Sequence, residues 1–319
     1  MERKSLGKSE IHVAPLTFGG NVFGWTLDEK QSFEILDGFL NYGFNFIDTA
    51  DVYSRWVSGN QGGESETIIG KWMKERGNRH DVVIATKVGG DMGHGRTLSK
   101  KHILQSVEGS LQRLQTDYID LYQSHYDDPE TPQEEIIETY MQLVQQGKVR
   151  LIGASNFSKD RLAQSRDISE KNGYPVYQTL QPLYNLFDRK AFEEDLEAYC
   201  LENSIGVINY YALASGFLSG KYRSEDDLNK SARGAGNKKY LNEKGFAILS
   251  ALDEVANRHN STPASIAIAW LLARPSVTAP IASATNREQL KSLVRATELK
   301  LDSDSIDLLD KASDWKANV

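Results

Sequence analysis

Eight short β-rich runs, each separated from the next by a longer segment, limit this chain to very few folds. They are LTF (16–18), FNFI (44–47), VVIAT (82–86), YIDLYQ (118–123), VRLIGA (149–154), VYQTL (176–180), GVINY (206–210) and VTAPI (277–281). Between them lie segments of helical periodicity such as DEKQSFEILDGFLNYG, ESETIIGKWMKERG and LSKKHILQSVEGSLQRL. Asp28 and Ser99 are expected N-caps, and Gly43 and Gly77 expected stops. Eight alternating strand and helix units close a parallel β/α barrel, and no shift in composition divides the chain into halves. The expected fold is α/β, an eight-stranded parallel barrel formed by residues 1–319 as one domain. KSLGKSEIHVAP, turning at Gly7-Lys8-Ser9, is expected to be a β-hairpin capping the barrel's N-terminal end. The polar stretch from Tyr222 to Lys244 reads as a long mobile loop.

Composition excludes several classes. A net charge of −7 and a pI near 5.5 argue against binding a phosphate backbone, so no nucleic-acid partner is expected. No apolar stretch of membrane-spanning length occurs, and MERKSLGKSE lacks the apolar core of a signal peptide, so no membrane is expected and the location expected is cytoplasmic. Cys200 is the only cysteine; a lone thiol makes no intrachain disulfide or CxxC metal site, and it reads as core packing. No metal is expected, and the sequence carries no signal for an oligomeric state.

In a β/α barrel the active site lies where the C-terminal ends of the strands converge. Asp48 follows FNFI, Lys87 follows VVIAT, His125 follows YIDLYQS, and Ser155-Asn156 follow VRLIGA. Singly, each has a bland reading: Asp48 and Lys87 as a structural ion pair, Tyr53 as a rim aromatic, His125 as a helix cap beside Asp127 and Asp128. Together they bring an acid, a cation, an imidazole and amides to one bowl, an arrangement costly to maintain without a use.

GFNFIDTADVYS, IATKVG, SLQRLQTDYIDLYQSHYDDP, GKVRLIGASNFS, LQPLYNLFDR and SGFLSGKYR, in this order and spacing, resemble the aldo-keto reductases across most of the chain. The resemblance implies the barrel, an NADPH cofactor with NADH as the alternative, and a small-molecule carbonyl substrate. It places a catalytic tetrad on Asp48, Tyr53, Lys87 and His125. Reducing a carbonyl builds negative charge on oxygen, so a donor must hydrogen-bond that oxygen and then protonate it. Tyr53 is the implied donor, its pKa expected to be lowered by Lys87, which Asp48 holds in place. His125 is expected to orient the same oxygen.

The resemblance also assigns the cofactor. Ser155, Asn156 and Gln181 match the partners of the nicotinamide amide, and Tyr210 the aromatic stacked on the ring. Leu213, Ser215, Gly216, Leu218 and Lys221 match the loop around the pyrophosphate. At the adenosine end, Ser283, Arg287 and Gln289 occupy the phosphate-binding segment, with Ser283, Gln289 and Leu293 departing from the commoner residues there. Ala212 stands where proline is frequent. GFLSGK misses the P-loop spacing, and no GxGxxG follows a strand. Trp25 and Trp56 are candidate walls for the substrate. Two rival readings accompany this one: a cofactor-binding redox-sensing or regulatory module acting through a protein partner, and an aldolase in which Lys87 forms a Schiff base.

Overall fold

The computed structural model describes residues 1–93 and 95–316. Its main sheet consists of β3 (Thr17–Gly19), β4 (Phe46–Asp48), β5 (Val83–Val88), β6 (Ile119–Ser124), β7 (Val149–Ser155), β8 (Thr179–Gln181), β9 (Gly206–Val207) and β10 (Ile281–Ala282). These pair in parallel in the order β10-β3-β4-β5-β6-β7-β8-β9. The ring closes through a parallel bridge between Val207 and Val277, with Thr278 N donating to Val207 O at 2.8 Å and Ile281 N to Asn209 O at 2.9 Å. VTAPI is therefore split: Val277 serves the β9 side while Ile281–Ala282 pair with β3. Pro280, lacking an N–H, stands at the break, and its carbonyl accepts from Thr17 N.

The short hairpin β1 (Lys4–Ser5) and β2 (His12–Val13) plugs the opposite end, as expected. Leu6, Ile11 and Val13 form one buried cluster with Phe46, Val83, Ala85, Leu121, Ile208 and Ala279. Gly7 is required at the turn, because its φ is +60° and a Cβ there would lie 2.4 Å from Gln178 O. Along each strand, side chains two apart share a face. The barrel interior thus runs from apolar at the hairpin, with Phe46, Val83 and Leu121, to polar at the mouth, with Asp48, Lys87 and Gln123.

Helices α1 (Glu29–Asn41), α2 (Glu64–Arg76), α3 (Lys100–Leu114), α4 (Gln133–Gln145) and α5 (Lys159–Asn172) follow successive strands. After β8 come α6 (Lys190–Glu193) and α7 (Leu196–Asn203), and beyond β9 come α8 (Glu243–Arg258) and α9 (Pro263–Leu272). The chain ends in α10 (Arg287–Glu298) and α11 (Ser303–Ala312). The larger core lies between strands and helices, joining Phe18, Ile47 and Ile152 to Phe39, Trp72 and Tyr140. Cys200 is buried there, its thiol pushed up to about 12 by desolvation. Asp28 caps α1 in a reciprocal capping box with Gln31, and Gly77 ends α2 at φ +64°. Ser99 makes no side-chain cap; Lys100 N donates instead to Glu135 on α4.

The stretch 222–244 differs from its expected form. It folds into two 3-10 turns, Glu225–Lys230 and Gly234–Tyr240, before α8 begins. Tyr222 and Tyr240 are wholly buried, Tyr222 sharing a 2.6 Å hydrogen bond with Ser231 and Tyr240 stacking on Phe217. Polar composition had masked two aromatic anchors.

Gly153 in β7 makes room below the mouth: a Cβ would meet Thr179 Oγ1 at 2.3 Å and Gln123 Cγ at 3.1 Å. Gly153→Ala is expected to lower stability by about 1–3 kcal/mol through overpacking, read as a lower urea midpoint at unchanged slope.

Candidate functional site

The period-two register lifts four polar groups to the mouth and locks them together. Lys87 Nζ donates to Asp48 Oδ2 at 2.6 Å, to Thr49 O at 2.8 Å and to Tyr53 Oη at 3.2 Å. All three of its protons are therefore directed, and the ammonium is wholly buried. Asp48 Oδ1 accepts from Gln123 Nε2 at 3.0 Å and Gln181 Nε2 at 2.9 Å. Gln123 is a residue that the motif reading missed. Its signal was its place in YIDLYQS, two residues before His125 and so on the same face of the strand.

Burial opposes charge on Lys87, but the Asp48 carboxylate and Tyr53 outweigh it and hold the ammonium above its ordinary pKa. A charged ammonium is a poor Schiff-base nucleophile, so this direction weighs against the aldolase reading. Tyr53 corrects an expectation. Desolvation raises its pKa, Lys87 pulls it back, and the net direction is upward. The phenol is therefore protonated at neutral pH, as a proton donor must be. His125 is buried, and desolvation, then Lys87 and Arg96, hold its pKa well below the usual value, so the imidazole is neutral. Its Nδ1 has no hydrogen-bond partner among the described residues. The Tyr53 and His125 rings lie 6.0 Å apart.

Ser155, Asn156, Gln181 and Tyr210 come together beside this group. Ser155 Oγ donates to Gln181 O at 2.8 Å, Asn156 Nδ2 to His125 O at 2.9 Å, and Tyr210 Oη to Asn156 Oδ1 at 2.9 Å. The Gln181 amide nitrogen is committed to Asp48 and Gln123, leaving its oxygen as the group that can accept from a ligand amide.

After Tyr210 the backbone takes left-handed conformations at Tyr211, Ala214, Ser215 and Gly216, with φ of 56°, 47°, 55° and 93°. Such a run bends the backbone sharply, and the N–H groups of Ala214, Gly216 and Leu218 close it by donating to Tyr211 O at 2.7 Å and to Leu213 O at 2.8 and 3.2 Å. Leu218 is wholly buried in the core with its N–H donating to Leu213 O at 3.2 Å, while Leu213 is partly buried against that core. Lys221 and Arg233 flank the curve, and neither enters an ion pair among the described residues; each instead lies over an aromatic ring, Tyr222 at 5.0 Å and Trp25 at 5.0 Å. Burial holds the Arg233 guanidinium below its ordinary pKa. With its amide oriented to satisfy its neighbours, Asn21 donates to Ser283 Oγ and accepts from Arg233 Nη2 at 3.0 Å. Arg233 was missed in sequence because it lies in the stretch read as loop. Arg287, at the start of α10, is exposed and only 3.9 Å from Glu34, whereas Gln289 is occupied in accepting from Thr285 N at 2.8 Å. Leu293 is buried.

Trp25 and Trp56 meet edge to face at 5.7 Å, and Trp56 packs on Tyr53 at 5.5 Å, so both candidate walls reach the site. Tyr126 extends them, stacked on His125 at 4.8 Å and with Arg96 over its ring at 3.6 Å. Among the described residues, no group of three or more His, Cys, Asp or Glu side chains is arranged to hold a metal, and no helix is long and apolar enough to cross a membrane.

A parallel β/α barrel with this buried Asp–Lys–Tyr constellation at its mouth has the architecture of a barrel oxidoreductase. The chain belongs to the aldo/keto reductase family, whose profile matches residues 15–314. It is 37% identical over 318 residues to the uncharacterized oxidoreductase YrpG of Bacillus subtilis, covering 97% of this chain and 95% of that one. It is 36% identical to the aldo-keto reductase YhdN of the same organism, covering 93% and 87%. It is also 32% identical to a probable voltage-gated potassium channel subunit beta of Arabidopsis thaliana, covering 94% and 92%. The protein is an NAD(P)H-dependent oxidoreductase.

Proposed function

We propose that this protein reduces an aldehyde, ketone or sugar carbonyl to an alcohol with NADPH, Tyr53 delivering the proton. The observation that carries this reading is the buried Lys87 ammonium, bonded to Asp48 at 2.6 Å and to Tyr53 at 3.2 Å. The nicotinamide, when bound, supplies the hydride. Tyr53 holds the proton on Oη, and Lys87 offsets part of the desolvation that makes this phenol reluctant to release it. Asp48 keeps Lys87 charged and aimed. The neutral imidazole of His125 hydrogen-bonds the substrate oxygen and orients it, and Trp25 and Trp56 flank the carbonyl's substituent.

Ser155, Asn156 and the Gln181 oxygen are the partners read for the carboxamide, with Tyr210 beneath the ring. The curved backbone of 213–218, with Lys221 and Arg233, is read as the pyrophosphate cradle. Ser283 and Arg287 border the adenosine end. A guanidinium held only loosely by Glu34 suits a 2′-phosphate. Arg287→Ala is accordingly expected to weaken NADPH binding about tenfold and leave NADH unchanged, whereas Arg233→Ala weakens both; fluorescence titration with each nucleotide checks this. Residues 1–319 are read as one cytoplasmic barrel domain.

A second reading, regulation through a protein partner, draws on the relative named as a channel subunit. Paired NADPH and NADH titrations followed by a carbonyl panel separate the two. Faster oxidation of bound NADPH by at least one carbonyl supports the reductase; oxidation never above background across the panel supports the regulatory module.

A further inference from the structure

Behind Tyr53 lies a second buried acidic group that the proposed chemistry leaves unused. Asp51 is 3% exposed, and its Oδ1 has no hydrogen-bond partner among the described residues. Its backbone N–H donates to Lys87 O at 3.3 Å, tying the turn that carries Tyr53 to β5. The charges around it are already matched. Lys87 on β5 pairs with Asp48 on β4; Arg113 on α3 pairs with the wholly buried Glu66 on α2 at 2.7 Å, while Thr86 donates to the other oxygen of Glu66 at 2.5 Å. Among the described residues the other titratable neighbours are Tyr122 on β6, whose buried hydroxyl is also unpartnered there, and Tyr140 on α4, whose hydroxyl bonds Ser124. Two cations neutralise two carboxylates, and among the described residues no cation pairs with the third, Asp51.

We infer that Asp51 works as a neutral carboxyl that positions Tyr53, and that its ionisation weakens Tyr53 as an acid. An isolated buried anion is costly, so the group keeps its proton instead. Desolvation, then repulsion from Glu66, push its pKa up to about 8, against partial relief from Arg113, the Val52 N–H and Lys87. While Asp51 is neutral, the Lys87 charge acts on the Tyr53 phenol opposed only by Asp48. Once Asp51 ionises, its negative charge adds to that of Asp48 against losing the phenol proton, and repulsion from Glu66 acts on the turn holding Tyr53.

This inference rests on Tyr53 as proton donor, so its test uses readouts that need no turnover. An acid whose folded pKa lies above its unfolded value of about 4 costs stability as pH rises between the two, because the unfolded chain releases the proton first. The melting temperature of Asp51→Asn, compared with wild type, should therefore gain steadily from about pH 4 to about pH 8 and then level. Phenolate absorbance, taken as the difference from a matched Tyr53→Phe protein, should show Tyr53 ionising at lower pH in Asp51→Asn than in wild type. Asp51→Ser, equally uncharged, replaces Asn if that variant does not fold. A melting offset independent of pH, or an unchanged Tyr53 titration, overturns the inference. Absence of carbonyl turnover with both readouts as expected would instead refute the reductase reading and leave Asp51's control of the phenol standing. Where a carbonyl is reduced, the fall in turnover above about pH 8 in wild type should be absent in Asp51→Asn.

Discussion

Tyr53→Phe is expected to lower carbonyl turnover by about 10²–10⁴-fold while leaving nucleotide affinity nearly unchanged. The substitution removes one hydroxyl and keeps the ring that packs on Trp56 at 5.5 Å, so the aromatic wall survives. What disappears is the proton and the acceptor of the Lys87 hydrogen bond. Single-turnover kinetics with saturating nucleotide separate this loss from any change in binding. Turnover near the wild-type rate in the variant would remove Tyr53 from the role of donor.

The second large effect is expected at Lys87. Lys87→Met leaves the buried Asp48 carboxylate with two amide donors and no cation, a change expected to cost about 3–5 kcal/mol of stability. Turnover should fall with it, since the phenol then faces desolvation without a compensating charge. Adding Asp48→Asn removes the stranded charge while keeping an oxygen for Gln123 and Gln181. The double variant should therefore recover much of the stability but none of the turnover. A purely structural ion pair predicts recovery of both, so denaturant midpoints and rates on the same proteins tell the two apart.

The barrel was legible because its signals are local. Period-two strands ending in polar residues put Asp48, Lys87 and the approach to His125 at one rim, and the Asp28 cap and Gly7 turn stand in plain residue types. Features that depend on packing were not legible. Tyr222 and Tyr240 anchor a stretch whose composition reads as loop, and that stretch carries Arg233 to Trp25 and Asn21 across the mouth. Pro280 divides a run that looked like one strand. Gln123 gave only its strand parity, and its bond to Asp48 appears only when β4 and β6 are placed in space. The direction of the Tyr53 pKa was missed for the same reason: a sequence shows that Lys87 can approach, but not how much water has been removed.

The central claim is that this site moves a hydride and a proton onto a carbonyl. Its most direct test is single-turnover reduction with NADPH deuterated at nicotinamide C4, using any carbonyl that accelerates oxidation, followed by mass analysis of the alcohol. Deuterium is expected on the carbinol carbon, at a rate that collapses in Tyr53→Phe. Oxidation of the nucleotide with no deuterium in the alcohol, or equal rates in the two proteins, would contradict it.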